Sequence, residues 1–243
     1  MNTSSPMSTC FIADLHLSRN RPEALQRFLD FLQQEAPKHQ TLYILGDLFD
    51  AWLGDDISIP EHASILDRLQ QTSAHGVTIR IQPGNHDFLY RAAFEERSGC
   101  QLIPDPYLIT LDGAPVLLTH GDQLCTEDRQ YQRYRSVIRH PLTEWILLHL
   151  SRSLRRKLGR KLGQRSAHDK HHKSSAIMDV TPSAVDTLMR QHGVLQLIHG
   201  HTHRPATHTF QLDQAEATRI VLGEWEAEKS MLIYRSGSFL SAP

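Results

Sequence analysis

Five short motifs of this chain carry side chains that bind metal ions. The motifs are Asp14-x-His16, Gly46-Asp47, Gly84-Asn85-His86-Asp87, His120-Gly121-Asp122 and His199-Gly200-His201-Thr202-His203. Carboxylate and imidazole groups with a neutral amide oxygen suit Mn²⁺, Fe²⁺, Zn²⁺ or Co²⁺, and the lack of cysteine in the motifs disfavours a structural zinc site. Two such ions about 3.5–4 Å apart, bridged by a carboxylate, stabilise the attacking and leaving oxygens of an in-line displacement. The motifs therefore predict hydrolysis of a phosphate ester or anhydride by metal-activated water.

Each of the five motifs directly follows a segment that is predicted to be a strand. Residues 9–13, 42–45 and 77–81 are buried β-rich runs, separated by helices that begin at Pro22 and Pro60. This order predicts a parallel sheet covered by helices. The fourth motif follows a hairpin of residues 107–111 and 115–119, and the fifth follows residues 194–198. Because ligands bind outside the carboxyl ends of strands in α/β sheets, we expect all five motifs to meet at one edge.

A less specific interpretation is that the motifs are only turns and helix caps. An isolated Asp-x-His is common by chance, and a Gly-Asp pair alone is usually a turn. The ordered set of five, each placed directly after a predicted strand, is much harder to explain in that way. We therefore favour the metal site.

The second half of the chain has a different pattern. Residues 207–212, 218–222 and 231–234 are predicted to be antiparallel strands. Between the two halves lies a helical stretch, which is expected to end in a polar loop around residues 166–175. The fold class is therefore α/β, a sandwich with a helical insertion that would act as a lid. We expect a single domain over residues 1–243, with the insertion at about 126–175.

The insertion is strongly basic, although the whole chain has a net charge of −1. Residues 129–165 contain eleven Lys or Arg and a single acid, Glu144, which leaves 15 basic and 26 acidic residues elsewhere. Its basic residues interleave with apolar ones: Trp145, Ile146, Leu147, Leu148, Leu150, Leu154, Leu158 and Leu162. A basic amphipathic helix of this kind lies at an anionic membrane surface. We expect its arginines, Arg155 among them, to face the lipid head groups while its apolar residues line an acyl pocket. The simpler alternative is a lid helix whose charges are solvated. Nucleic acid is not expected, because the segment has no aromatic stacking platform.

Three features predict where the protein resides. Cys10, Cys100 and Cys125 are odd in number and far apart, which fits a reducing compartment and argues against a disulfide framework. The first residues have no basic segment followed by an apolar one, as a signal peptide would. The longest apolar run, residues 145–148, is far too short to span a bilayer. We expect a soluble or peripheral protein on the cytoplasmic side.

The five motifs resemble those of the calcineurin-like metallophosphoesterases, which are D-x-H, GD, GNH(D/E), H and G-H-x-H. The resemblance implies a four-layer αββα sandwich that holds two divalent metal ions, with Mn²⁺ as the expected metal. It also implies that Asp14, His16, Asp47 and His203 bind one ion and that Asp47 bridges to the second, which Asn85, His120 and His201 complete. His199 has the same strand parity as His201 and His203, so only the family motif selects the latter two.

Longer segments are similar to the UDP-2,3-diacylglucosamine hydrolases of lipid A biosynthesis. These segments are residues 11–17, 43–49, 51–56, 120–126, 176–180, 199–206 and 221–225. The similarity covers nearly the whole chain, including the insertion. It implies hydrolysis of the pyrophosphate of a UDP-linked diacyl glucosamine lipid by attack at the α-phosphorus, which gives UMP and 2,3-diacylglucosamine 1-phosphate. It further implies a monomer on the cytoplasmic face of the inner membrane. The alternatives are another calcineurin-like phosphodiesterase that acts on nucleotides or cyclic nucleotides, and a metal-binding scaffold for protein contacts.

The same resemblance implies a set of substrate contacts. The matching positions are Asn85, His86, Asp128, Ser166, Lys170, Lys173 and His201. His86 stands where the family usually has arginine, and Lys170 stands where asparagine is usual. Asn85 and His86 are the expected catalytic residues, with His86 beside the second metal to protonate the leaving group or stabilise the transition state.

Overall fold

The computed structural model describes residues 8–172, 179–227 and 230–242, with the backbone alone for residues 164–172. Its strands are β1 (Ser8–Ile12), β2 (Thr41–Leu45), β3 (Thr78–Gln82), β4 (Gln101–Leu102), β5 (Tyr107–Leu111), β6 (Ala114–Thr119), β7 (Gln196–His199), β8 (Ala206–Leu212), β9 (Ala215–Val221), β10 (Met231–Arg235) and β11 (Ser238–Ala242). Its helices are α1 (Pro22–Gln34), α2 (Asp55–Glu61), α3 (Ala63–Ala74), α4 (Ala92–Ser98), α5 (Arg129–Ile138), α6 (Pro141–His149), α7 (Arg152–His172) and α8 (Pro182–His192).

The strands form two sheets. One has the order β11-β10-β1-β2-β3-β4, and the other has the order β5-β6-β7-β9-β8. β1, β2 and β3 are parallel, as the alternation of strands and helices predicts. In the second sheet, β6, β7 and β9 are parallel, while β5 and β8 run antiparallel to their neighbours. Each sheet therefore has a parallel centre whose strands end on one side.

Alternating side chains of the central strands build three separate cores. Cys10 and Ile12 of β1 face α1 and α3, whereas Phe11 faces the second sheet. β6 is similar, since Leu118 lies between the sheets and Leu117 packs towards α8. Successive strand residues point to opposite faces, so a strand buried on both sides is apolar throughout. The result is four layers, helices–sheet–sheet–helix, and the predicted α/β sandwich is confirmed.

Most predicted elements are confirmed, but two boundaries were wrong. Pro60 does not open a helix. It lies inside α2, which begins at Asp55 after Gly54 and has two acids in its first turn, where carboxylates favour a helix start. The polar loop expected around residues 166–175 is helical as far as His172. Neither glycine nor proline occurs from residue 164 to His172, so no residue in this part of α7 interrupts the helix. Residues 173–175 lie outside the described residues.

The helices α5, α6 and α7 fall within the predicted insertion, and the domain limits of residues 1–243 remain a prediction. Sequence reasoning did not identify α4, α8, the two-residue β4 or the edge strand β11. The three cysteines are buried and free. Among the described residues, no helix combines the length and apolar character needed to cross a membrane.

Candidate metal centre

The five motifs meet in space at strand ends from both sheets. Asp14 and Asp47 each lie two residues beyond a strand of the first sheet, β1 and β2. Asn85 follows β3. His120 directly follows β6 of the second sheet, and His201 follows β7. We expected all five motifs at one edge of one sheet. They lie instead where two packed sheets meet, because the carboxyl ends of the strands of both sheets face the same cleft.

Among the residues that the structure describes, three groups of potential ligands lie close enough to hold a metal ion. Within each group, one ligand atom per residue lies within 4.8 Å of the others. The groups are Asp14, His16 and His203; Asp47, His120 and His201; and His16, Asp50 and His86. The first two contain six of the seven residues that the family motif selects, and the seventh, Asn85, contacts the second through His120.

Asp47 lies between the first two groups. Its Oδ2 atom is 3.8 Å from Nε2 of His16 and 3.7 Å from Nε2 of His120. One carboxylate oxygen thus faces an imidazole of each group. This is the geometry that a bridging ligand requires.

The backbone at these residues is unusual. Asp14, His16, Asp47, His201 and His203 all have positive φ, between 46° and 68°. This left-handed region is sparsely populated by residues other than glycine, and such strain collects at functional sites whose surroundings enforce it. Each connection after a strand therefore turns sharply and directs its side chain into the cleft.

Two motif glycines are required by close approach. A Cβ atom at Gly200 would lie 2.6 Å from Asp14 Oδ2, and a Cβ at Gly84 would overlap the backbone nitrogen and Oδ1 of Asp47. Real Cβ atoms do not make contacts this short. The glycines therefore let the connections pack directly against the two carboxylates.

Backbone amides orient both carboxylates and leave one oxygen of each directed at histidines. Asp14 Oδ2 accepts a hydrogen bond from the His201 amide at 2.7 Å, and Asp47 Oδ1 accepts one from the His86 amide at 2.8 Å. The other oxygen of Asp14, Oδ1, is buried, accepts no hydrogen bond from a described residue, and lies 3.5 Å from His203 Nε2. A buried carboxylate oxygen is costly without a partner, and a divalent cation would supply one. The donor set fits the expected metal ions.

Hydrogen bonds on the far side of each imidazole fix which nitrogen faces the cleft. His120 donates from Nδ1 to the Leu45 carbonyl at 2.9 Å, so Nε2 is directed at Asp47. His203 Nδ1 pairs with Glu224 Oε2 at 3.2 Å, which leaves Nε2 towards Asp14. Metal-binding histidines usually have such a partner on the other ring nitrogen. These contacts thus prepare both imidazoles as ligands.

The electrostatics of the cleft favour a bound cation. Burial alone would raise the pKa of Asp47, but His86, His120 and His16 outweigh it and hold the pKa well below the usual range. Burial disfavours a charged His120, yet Asp47 and Asp14 raise its pKa to about 9. Burial and the nearby His120 lower the pKa of His201 to about 4. Its imidazole is therefore uncharged at neutral pH and can donate a lone pair to a metal ion. The two carboxylates therefore dominate the local potential.

A buried carboxylate supports the loop that carries Asn85 and His86. Asp87 accepts hydrogen bonds from the Gly84 amide at 2.8 Å, the Phe49 amide at 3.2 Å and the Tyr90 hydroxyl at 2.6 Å. Burial and the nearby Asp47 raise its pKa to about 6. Asp87 thus joins the loop after β3 to the segment after β2.

His86 contacts residues of both groups. Its ring is 4.9 Å from that of His16, edge-on, and its amide donates to Asp47, which lies between the two groups. Its expected place beside the second metal stays a prediction. Nδ1 of His86 pairs with the Asp50 carbonyl at 2.9 Å. Asp50, which belongs to the third group, was not identified from the sequence, because no motif residue stands at its position. His199 is in none of the groups. Its buried ring contacts the Gly200 carbonyl and Arg219, and burial lowers its pKa to about 3.

The remaining predicted substrate contacts are only partly described. Asp128 is buried at the N-terminus of α5, where its Oδ1 caps the helix by accepting from the Tyr131 amide at 3.0 Å. The side chains of Ser166 and Lys170, and the whole of Lys173, lie outside the described residues. Sequence reasoning also missed that the Tyr131 ring stacks on His201, with ring centroids 6.0 Å apart.

Ion pairs join the insertion to the body, and they correct one expectation. Arg155, expected to face lipid head groups, is only 6% exposed and pairs with Asp56 at 2.6 and 2.8 Å. Arg152 also pairs with Asp56, and Arg156 pairs with Glu61. Lys157, Arg160 and Lys161 remain exposed on α7.

A family model described as calcineurin-like phosphoesterase matches residues 7–205. The chain therefore belongs to the calcineurin-like phosphoesterases, a family that together with the clustered ligands supports use of divalent metal ions. Among individual proteins, UDP-2,3-diacylglucosamine hydrolase from Pseudomonas aeruginosa (strain UCBPP-PA14) is 47% identical over 98% of this chain and 99% of its own length. The enzymes of that name from Edwardsiella ictaluri (47% identity, 93% and 88% coverage) and Nitrosococcus oceani (48% identity, 93% and 90% coverage) are equally similar. Within the calcineurin-like class, the chain is a hydrolase of the UDP-2,3-diacylglucosamine hydrolase family.

Proposed function

We propose that this protein hydrolyses the pyrophosphate of UDP-2,3-diacylglucosamine by attack of water at the α-phosphorus, giving UMP and 2,3-diacylglucosamine 1-phosphate. The observation that carries the proposal is the position of Asp47 Oδ2, within 3.8 Å of an imidazole nitrogen in each of two ligand groups. Near-full-length similarity to hydrolases of that name supports the substrate.

Two Mn²⁺ ions per chain are the proposed cofactor. Asp14, His16 and His203 would hold one ion, and Asn85, His120 and His201 would hold the other, with Asp47 shared. When bound, such a pair of ions activates water and neutralises charge on the phosphoryl oxygens. The chain itself contributes orientation. Backbone amides fix both carboxylates, and outer hydrogen bonds fix His120 and His203, so little rearrangement accompanies binding.

His86 is the proposed proton donor or charge-stabilising group for the reaction. The Asp50 carbonyl accepts from its Nδ1, which leaves Nε2 as the atom available to substrate. Nε2 donates a proton from the imidazolium form, in which both ring nitrogens carry one. The His86 ring adjoins His16 and its amide donates to Asp47, so it acts from beside both ligand groups. A neighbouring Asn85 and the capping residue Asp128 are proposed to contact the substrate, as are Ser166, Lys170, Lys173 and His201.

The helical insertion is the proposed site for the lipid. Val137, Leu142, Trp145, Ile146 and Leu154 are large apolar side chains with 41–62% of their surface exposed. Together with the exposed bases of α7, they suit acyl chains and an anionic surface. We therefore propose a monomer that binds peripherally to the cytoplasmic face of the inner membrane.

Release of UMP from UDP-2,3-diacylglucosamine, with Mn²⁺ supplied, tests this function. We expect rapid release that stops when EDTA removes the metal. UDP-glucose and a cyclic nucleotide, assayed in parallel, should be hydrolysed far more slowly, because neither engages the apolar insertion. Faster hydrolysis of the cyclic nucleotide than of the lipid would instead indicate a nucleotide phosphodiesterase.

A further inference from the structure

A single buried carboxylate ties one helix of the insertion to the strand end that carries His120. Asp122 lies two residues beyond His120 and has no exposed surface. Its Oδ2 atom accepts from Tyr131 Oη at 2.8 Å and Arg135 Nε at 2.7 Å, and Arg139 Nη2 lies 3.5 Å away. The three donors are spaced by four residues, so Tyr131 and Arg135 of α5 and Arg139, which caps its C-terminus, project from one face. This face of the helix is therefore held against the metal centre.

The first turn of α5 is fixed by further contacts. The Gln132 side-chain amide donates to the carbonyls of Asp122 at 2.8 Å and Cys125 at 3.1 Å. Tyr131 thus has its hydroxyl fixed by Asp122 and its backbone fixed in the capped first turn. A buried ion pair adds little net stability. The position that this network gives to Tyr131 is its more specific consequence.

The Tyr131 ring covers one face of a proposed metal ligand. It stacks on His201 with centroids 6.0 Å apart and an angle of 29° between the rings. His120 contacts the same imidazole edge-on, with centroids 5.0 Å apart. His201 is therefore supported by one residue of the body and one residue of the insertion.

We propose that Tyr131 and Asp122 are positioning residues for His201, and that they couple docking of α5 to cation binding at the group formed by Asp47, His120 and His201. The inference rests on the proposed function, because it takes this group as one half of the metal centre. Residues that support metal ligands change metal affinity 10- to 100-fold when they are removed. Since coupling between two sites is reciprocal, a cation bound at this group must also stabilise the docked position of α5.

The first test measures Mn²⁺ binding by titration calorimetry, without any substrate. Tyr131→Ala should weaken one of two binding events about tenfold and leave the other unchanged. Tyr131→Phe keeps the ring and should lie between Tyr131→Ala and the unmodified chain. Gln130→Ala is the matched control, because Gln130 is on the same helix and exposed, whereas Tyr134 contacts the Tyr131 ring. It should bind both ions normally.

The second test uses hydrogen exchange of the α5 amides and needs no variant. Saturating Mn²⁺ should slow their exchange by up to about tenfold, which corresponds to about 1.4 kcal/mol. Tyr131→Phe should reduce this protection, and Gln130→Ala should not. If Tyr131 only anchored the helix, the α5 amides would exchange at the same rate with and without Mn²⁺.

Two results would overturn the proposal: Tyr131→Ala that binds both ions as tightly as the unmodified chain, or α5 exchange that ignores Mn²⁺. If Tyr131→Ala does not fold, the exchange measurement on the unmodified chain still decides. A different result would refute the proposed function instead. In that case the unmodified chain would bind fewer than two Mn²⁺ ions.

Discussion

In the metal centre, Asp14, Asp47 and His120 have at most 2% of their surface exposed, and five of the predicted ligands have a left-handed backbone. In the insertion, α5 and α6 contain no buried residue, and Val137 is 62% exposed. The centre is thus built from strained connections that the surrounding sheets enforce, whereas the insertion lies on the surface. A segment with so little buried apolar area opens more easily than a core. The reacting groups are held rigidly, and the part that would meet a lipid can adapt.

The contacts between the two regions include several ion pairs, beside apolar packing of Leu147 and Leu148 of α6 against the core. Asp122 forms an ion pair with α5, and Asp56 and Glu61 form ion pairs with α7. Arg91 pairs with Glu144 of α6 at 2.8 Å. Exposed ion pairs contribute little to stability and are screened by salt, whereas buried ones are screened much less. The comparison therefore predicts that changes in the centre affect chemistry and metal content, while changes in α6 and α7 affect substrate binding and its dependence on salt. Helix α5 is the exception, because Tyr131 stacks on His201 and so links this helix to metal binding.

The largest effect should come from Asp47→Ala. This change removes a ligand from both groups at once, so turnover should be nearly abolished and bound metal should fall below two ions per chain. Metal analysis and the UMP assay measure the two effects. Asp30→Ala is the matched control, because this exposed acid on α1 belongs to none of the three ligand groups. Two tightly held ions in an active Asp47→Ala protein would refute the assignment of Asp47.

His86→Ala should lower kcat by roughly 10²-fold while both ions remain bound, since this is the low end for general acid catalysis and phosphate is already a good leaving group. His86→Arg should recover much of the rate, because it restores positive charge near the phosphoryl oxygens. Steady-state kinetics and metal analysis on the three proteins check this. Full activity in His86→Ala would show that the residue takes no part.

Arg155→Ala should loosen α7 without disturbing the centre. It removes charged hydrogen bonds to Asp56 that are each worth about 1.5–3 kcal/mol. We expect KM for the lipid to rise about tenfold, bound metal to be unchanged, and α7 amides to exchange faster. Ser153→Ala, an exposed and uncharged change two residues away on the same helix, is the control. Loss of metal from Arg155→Ala would mean that the two regions are not separable in this way.

The smallest effect concerns association with a membrane. Neutral residues at Lys157, Arg160 and Lys161 should weaken binding to anionic vesicles by on the order of 1 kcal/mol for each charge, and added salt should do the same. These positions test membrane binding better than Arg155 does, because the Arg155 guanidinium is buried against Asp56. Vesicle sedimentation that responds to neither change would argue against a membrane role for the basic helix.

Much of the centre could be predicted from the sequence, because each ligand directly follows a strand and strand ends converge. The pattern around Asp14, Asp47 and Asn85 therefore carried both the fold and the site. The convergence of two sheets on the site could not be predicted in this way, because pairing between distant strands leaves no local sequence pattern. Stacking of Tyr131 on His201 and pairing of Arg155 with Asp56 were missed for the same reason. Basic residues in a helix have the same pattern whether they face lipid or a carboxylate.

The most direct test of the central claim is hydrolysis of UDP-2,3-diacylglucosamine in water labelled with ¹⁸O, with Mn²⁺ present and the products analysed by mass spectrometry. Attack of metal-activated water at the α-phosphorus predicts that UMP carries one ¹⁸O and that 2,3-diacylglucosamine 1-phosphate carries none. Label in the lipid phosphate, or no release of UMP at all, would contradict the account.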